Sequence, residues 1–122
     1  MTSEKQIETE LQRGRKLLSP KRVGKELAET VADPTPEAIG ALAGIGLTLD
    51  DPAVQGNLYV FGSWDKSERA VKKLKSSVPP DHYQVAGMNG VLVFFARARS
   101  DGEGTNPRYL LNNMLSAFSG NE

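Results

Sequence analysis

The stretch of sequence that decides the fold is residues 57–95, which read NLYVFGSWDKSERAVKKLKSSVPPDHYQVAGMNGVLVFF. Its first five residues form a β-rich run, and Gly62 and Ser63 end that run. The apolar residues of 65–78 then recur at helical spacing until two prolines stop the pattern. The stretch therefore begins with a strand followed by a helix.

Residues 83–95 predict an antiparallel hairpin. Asn89 and Gly90 separate two β-rich runs, and this dipeptide is the strongest short-range signal for a tight turn because both residues tolerate positive φ. The second run, 91–95, is apolar on both faces, as expected for a central strand that is covered on two sides. A last amphipathic helix is predicted to begin after Asn106.

These elements predict an α+β fold. They connect most simply when the last strand lies between the first two, because the crossover can then be right-handed. This is the split β-α-β arrangement of half a ferredoxin-like fold, and the last helix gives a β-α-β-β-α order. We therefore predict a small three-stranded sheet in a compact domain, residues 53–122. Such a sheet has two open edges, which another segment or another chain would cover.

Residues 1–52 are predicted to form a helical N-terminal arm. After a first capped helix, Val23, Leu27 and Val31 follow at i, i+4 and i+8, which predicts a second helix with a thin apolar face. The apolar, glycine-spaced run 39–47 predicts a third, short helix packed against the sheet. A segment that docks a partner or associates with a membrane is the alternative for this run.

Composition excludes several classes of function. The formal net charge is zero, which argues against a general binder of nucleic acid or anionic membranes. The chain has no cysteine, so disulfides, thiolate nucleophiles and cysteine-ligated metals are excluded. No apolar run reaches the roughly 20 residues that span a bilayer, and the polar N-terminus is unlike a targeting signal. We expect a cytoplasmic protein by default, with an extracytoplasmic domain of a trimmed precursor as the alternative.

No residues in the sequence form a catalytic or metal-binding pattern. His82 is the only histidine, and no nucleophile or orienting group adjoins it in sequence. Asp50, Asp51 and the segment 101–104 offer oxygen ligands but lack the spacing and terminal glutamate of a calcium loop. We therefore expect no metal, no cofactor and no dedicated catalytic site.

Two sites with the character of anion sites remain. The first is the strand-to-helix turn of Gly62, Ser63, Trp64 and Lys66, where free amides and the helix dipole favour phosphate or carboxylate. The simpler interpretation makes Ser63 a helix cap and Trp64 a lid over the core. The second site is a basic run without any acidic residue, which would form an interaction surface: Arg13, Arg15, Lys16, Lys21, Arg22 and Lys25. A solvated face balanced by neighbouring glutamates is the alternative for this run.

The sequence favours a non-enzymatic module for protein interaction or self-association, whose partner is another protein or a second copy. The first alternative is a small domain or minor enzyme that binds an anionic ligand at 62–66, with His82 as a proton carrier. The second alternative is a basic arm that contacts nucleic acid or anionic lipid. Nucleic acid is the weaker of these partners because no aromatic residue lies among the basic residues to stack on bases.

Overall fold

The chain folds around a five-stranded antiparallel sheet that has helices on both faces. The structure is a computed structural model and describes residues 3–50, 53–76, 82–99 and 107–120. The strands are β1 (Ala28–Thr30), β2 (Ala43–Asp50), β3 (Ala53–Val60), β4 (His82–Asn89) and β5 (Leu92–Arg99). The helices are α1 (Glu4–Leu17), α2 (Pro20–Val23), α3 (Trp64–Lys75) and α4 (Pro107–Ser119), with a 3₁₀ turn, η1 (Glu37–Ile39).

The strand order is β1-β2-β3-β5-β4, and each neighbouring pair is antiparallel. The α+β class is therefore confirmed, and β5 lies between β3 and β4 as the split arrangement requires. The predicted three-stranded sheet and the half-ferredoxin β-α-β-β-α order are wrong as a description of the whole fold. Two more strands, β1 and β2, continue the sheet beyond β3.

Two segments that were predicted as helices in the N-terminal arm are strands. Residues 28–30 form β1 inside the predicted second helix, and β2 occupies most of the apolar run 39–47. β2 pairs with β3 at all eight positions, from Ala43 opposite Val60 to Asp50 opposite Ala53. Periodicity cannot separate helix from strand in a short apolar run, so the available partner strand decides.

The β2–β3 pair crosses the boundary that was predicted between residues 52 and 53. The last strand of the N-terminal segment and the first strand of the C-terminal segment thus share one hydrogen-bonded ladder. The division into an arm, residues 1–52, and a compact domain, residues 53–122, stays a prediction.

The sheet separates two apolar clusters. The larger cluster lies under α1, α2 and α4, and its fully buried side chains include Leu58, Phe94, Leu111, Met114 and Phe118. The smaller cluster lies under α3 and contains Tyr59, Phe61, Leu74, Val93 and Phe95. Because each buried side chain of this size contributes about 1.5–3 kcal/mol, both faces of the sheet stabilise the fold.

Two glycines of β2 allow the segment 31–36 to lie directly on the sheet. A Cβ atom on Gly46 would lie 2.6 Å from the carbonyl oxygen of Val31, and one on Gly44 would lie 3.0 Å from Cγ of Pro36. Glycine in a strand commonly marks such a close approach of another backbone. Gly44 and Gly46 therefore lie in a strand that a second segment covers.

Candidate functional site

The turn of residues 62–66 joins β3 to α3. Ser63 is extended, and its Oγ accepts a hydrogen bond from the backbone N–H of Lys66 at 3.2 Å, so Ser63 is the N-cap of α3. Trp64, the first residue of α3, is 70% exposed. It is therefore a surface residue, and its interpretation as a lid over the core is wrong.

Trp64 lies beside the β4–β5 turn. Its Nε1 is 3.9 Å from the position that a Cβ atom would take on Gly90, and Nη2 of Arg13 is 3.6 Å from the same point. Gly90 has a φ of +67°, whereas Asn89 pairs with Leu92. The central residues of the turn are therefore Gly90 and Val91, one position later than the Asn-Gly pattern predicted.

A groove of about 280 Å³ lies between α3 and η1, next to the turn of residues 62–66. One wall consists of Lys66, Arg69 and Lys73, which share a face of α3 because they lie three and four residues apart. The floor and the opposite wall consist of smaller and apolar residues: Ile39, Gly40, Phe61 and Ala70. We call this feature the cationic groove, and it extends the predicted site at Lys66 along the helix.

The wall of the cationic groove carries an excess of positive charge. Arg69 pairs with Asp65 at 3.0 Å, but both side chains are well exposed, and pairs of this kind are weak. Within the described residues, neither Lys66 nor Lys73 is paired with a carboxylate. The groove therefore combines an apolar floor with ammonium groups that are available to an anion.

The arginines of the basic run make contacts within the fold, and the role of the run as an interaction surface stays a prediction. Arg13 donates from Nη1 to Oδ1 of Asn89 at 2.9 Å and from Nη2 to the carbonyl oxygen of Asn89 at 2.8 Å. It also pairs with Glu10 at 2.7 Å. Arg13 thus holds α1 against the end of β4.

The other two arginines of the basic run, Arg15 and Arg22, also contact residues of the fold. Arg15 pairs with Glu29 of β1 at 2.6 Å. Arg22 donates to the carbonyl oxygens of Leu17 and Ala117 at 2.9 and 2.8 Å. The three lysines of the predicted surface, Lys16, Lys21 and Lys25, are exposed. Contact of these lysines with nucleic acid or anionic lipid stays a prediction.

A larger and more polar pocket of about 450 Å³ lies at the opposite end of the sheet. Its polar lining includes Thr48, Asp50, Gln55, His82 and Arg97. Arg97 is paired with Asp33 at 3.0 Å, and Asp50 adds a second carboxylate, so this pocket has no excess of positive charge. It does not present the electrostatics of an anion site.

His82 and the turn at 62–66 lie at opposite ends of β4. His82 is the first residue of the strand, while Trp64 contacts the region of the turn that follows its last residue. Seven residues of extended strand span about 23 Å. The structure therefore does not bring His82 to this turn, and the proposed role of His82 as a proton carrier there is wrong.

Asn57 is a fully buried polar residue that the sequence analysis missed. Its side chain accepts from the N–H of Asp33 at 2.9 Å and donates to the carbonyl oxygens of Asp33 and Phe95 at 3.0 and 3.2 Å. Beside it, the hydroxyl of Tyr59 donates to the carbonyl of Pro34 at 2.6 Å. The sequence signal that could have identified this residue is a polar asparagine inside a β-rich run. Its role is to attach the segment 31–36 to the sheet.

The environment of Tyr59 is also consistent with a structural role. Burial raises the pKa of the Tyr59 hydroxyl above its usual value, and the nearby charge of Asp33 raises it further while Arg97 acts in the opposite direction. A phenol that stays protonated acts as a hydrogen-bond donor. This residue therefore fastens the segment 31–36 rather than serving as a base.

The two edges of the sheet differ in length and charge. β1 has three residues and includes Glu29, which is paired with Arg15. β4 has eight residues and contains neither a proline nor an Asp, Glu, Lys or Arg. Proteins usually protect an edge by shortening it or by adding charge or proline. β1 is protected in this way, and β4 is not.

Two further findings on the described residues concern metal ligands and membrane-spanning helices. Within the described ranges, no group of three or more His, Asp or Glu side chains is placed to hold a metal ion. No described helix is both long and apolar enough to cross a bilayer. Comparison with protein-family models, curated proteins and solved structures finds no match to this chain.

Proposed function

We propose that the protein is a non-enzymatic self-association module in which two copies pair along β4. The observation that carries this proposal is an eight-residue edge strand with no charge and no proline. Such a strand presents a row of backbone donors and acceptors that another strand can pair with. Pairing would join two five-stranded sheets into one continuous antiparallel sheet.

The free backbone groups of β4 follow from its register with β5. Asn89 and Leu92 flank a two-residue turn, and residues in that position form a hydrogen-bonded pair. Hydrogen-bonded and non-hydrogen-bonded pairs alternate from there in an antiparallel ladder. The N–H groups that point away from β5 are therefore those of His82, Gln84, Ala86 and Met88. Within the described residues, β4 pairs only with β5.

A second copy of the chain is the occupant that these features favour. Two-fold pairing uses the same surface on both copies, so the interface has to be compatible with itself. Because β4 carries no Asp, Glu, Lys or Arg, antiparallel pairing places no like charges opposite each other. The formal net charge of zero also removes long-range repulsion between copies. An extended peptide of another protein is the competing occupant.

The test compares Gln84→Pro with Gln84→Val by sedimentation equilibrium of the full chain. Both variants lose the side-chain hydrogen bond from Gln84 to the carbonyl of Lys75. Only the proline variant also loses an outward N–H group. We expect dimers of the wild type and the valine variant, and a folded monomer of the proline variant. A wild type that stays monomeric up to about 1 mM, where an association of about 4 kcal/mol would be visible, overturns the proposal.

A second measurement does not depend on either variant. Amide hydrogen exchange of the wild-type chain is recorded at a low and a high protein concentration. We expect the amides of Gln84, Ala86 and Met88 to become more protected at high concentration, because pairing buries these groups. Protection that is independent of concentration, together with a monomer in sedimentation, contradicts self-association.

A further inference from the structure

We infer that the cationic groove binds an amphiphilic anion, a small molecule that joins one carboxylate or phosphate group to an apolar chain. The groove does not include β4, so this inference goes beyond self-association and fails independently of it. The inference is based on three properties of the groove: its positive charge, its apolar surface and its volume.

The positive wall is the first part of the argument. Lys66, Arg69 and Lys73 lie on one face of α3, and the first and last of them are separated by about 10 Å along the helix axis. Like charges three and four residues apart destabilise a helix. An anion between them replaces this repulsion with attraction, so binding is favoured by the arrangement itself.

The apolar floor is the second part. Phe61 is 2% exposed and lies beneath the groove together with Ala70, while the half-buried Ile39 forms its far side. This apolar surface continues past Lys66. A Cβ atom on Gly62 would lie 3.8 Å from Nζ of Lys66 and 4.0 Å from Cδ1 of Leu42, a leucine that is 49% exposed. An apolar chain can therefore lie along the floor or toward Leu42 while its head group stays near Lys66.

The size of the groove favours a small molecule. The groove volume of about 280 Å³ lies just below the usual range for small-molecule sites, about 300–1,000 Å³. A simple inorganic anion would use the lysines but not the floor, and lysines in contact with water bind such ions weakly. A neutral apolar molecule would use the floor but leave the charges unpaired. A ligand that uses both parts is thus an anion with an apolar chain.

The experiment titrates the full chain with three probes and follows its amide ¹⁵N–¹H spectrum. Octanoate carries both features, acetate carries only the charge, and octanol carries only the apolar chain. We expect octanoate to shift the amides of Gly40, Lys66 and Ala70 in a saturable manner. We expect acetate and octanol to bind at least about tenfold more weakly. Octyl phosphate as a fourth probe distinguishes a phosphate head group from a carboxylate.

A matched pair of double variants tests the position of the site. Lys66→Gln with Lys73→Gln removes two charges from the wall, and we expect it to weaken octanoate binding by about tenfold or more. Lys72→Gln with Lys75→Gln removes two charges of the same helix that do not line the groove, and we expect it to change binding less than about twofold. Both variants have the same net charge, so a general effect of charge would appear equally in both.

The outcomes that overturn the inference are distinct. Equal affinity for acetate and octanoate shows that the apolar floor takes no part. Equal affinity for octanol and octanoate shows that the lysines take no part. Equal weakening by the two double variants, or shifts that do not saturate, shows non-specific association of the additive with the surface. Any of these results rejects the groove as a site for an amphiphilic anion.

Discussion

Replacing Asn57 with alanine is the sharpest test of how the segment 31–36 is attached to the sheet. Four hydrogen bonds depend on this side chain: two with the backbone of Asp33, one to the carbonyl of Phe95 and one from Nε2 of Gln55. A neutral hydrogen bond contributes about 0.5–1.5 kcal/mol to stability, and a buried group that loses its partner costs more. We therefore expect Asn57→Ala to lower the free energy of unfolding by about 3–4 kcal/mol.

This loss is large on the scale of a small domain, where the whole free energy of unfolding is about 5–15 kcal/mol. For 122 residues the entropy of unfolding is about 0.26 kcal/mol/K, so a loss of 3 kcal/mol lowers Tm by about 12 °C. Urea unfolding followed by circular dichroism measures the free energy directly. The matched control is Asn112→Ala on the exposed side of α4, which we expect to change stability by less than about 0.5 kcal/mol.

Hydrogen exchange shows whether the effect arises where the structure places it. In the wild type the amide of Asp33 donates to Asn57, so it should exchange slowly and become fast in Asn57→Ala. A loss of stability below about 1 kcal/mol, or an Asp33 amide that stays protected in the variant, would refute the role assigned to Asn57.

Three further predictions concern the same fold. Gly46→Ala places a Cβ atom 2.6 Å from the carbonyl oxygen of Val31 and should lower the free energy of unfolding in urea by about 1–3 kcal/mol. A Cβ atom on Gly62 would meet its nearest side-chain atoms only at 3.8 and 4.0 Å, so Gly62→Ala should cost less than about 0.5 kcal/mol, and equal effects would contradict the close contact at Gly46. Because burial raises the pKa of Tyr59, its buried hydroxyl stabilises the folded chain fully below about pH 10. This stabilisation is lost as the pH rises further, because the unfolded chain then releases the proton while the folded chain keeps it. Tyr59→Phe should therefore lose less stability than the wild type between pH 9 and 11, and parallel losses would count against this pKa. The fragment 53–122 lacks β2 as the partner of β3 and should show the narrow amide spectrum of an unfolded chain, while a well-dispersed spectrum would show that it folds alone.

Local sequence signals were sufficient to predict the secondary structure and strand order of the segment from β3 to β5. The strand, the helix with its Ser63 cap and the hairpin all depend on contacts between residues close in sequence, and the order of these three strands follows from the handedness of the crossover. The exact centre of the hairpin turn differed by one residue, because Gly90 alone takes positive φ.

Local signals failed where a distant partner decides the structure. The run 39–47 is compatible with a short helix, but its pairing with β3 provides eight strand positions, and Gly44 and Gly46 admit the covering segment. The arginines of the basic run also have contacts that local signals do not reveal. Arg13 donates to Asn89 and Arg22 donates to Ala117, which lie 76 and 95 residues away in sequence.

The sequence by itself determined the α+β class, the absence of cysteine chemistry and the positions of α3 and the β4–β5 hairpin, because these depend on composition and on neighbours along the chain. It also placed Lys66 at a candidate anion site. Only the tertiary structure decided that the sheet of the described residues has five strands, that β4 lies at one edge of it and that Lys66 shares a groove with Lys73 and Phe61. Strand pairing and the composition of a groove join residues that are far apart in sequence, and local periodicity carries no information about such contacts.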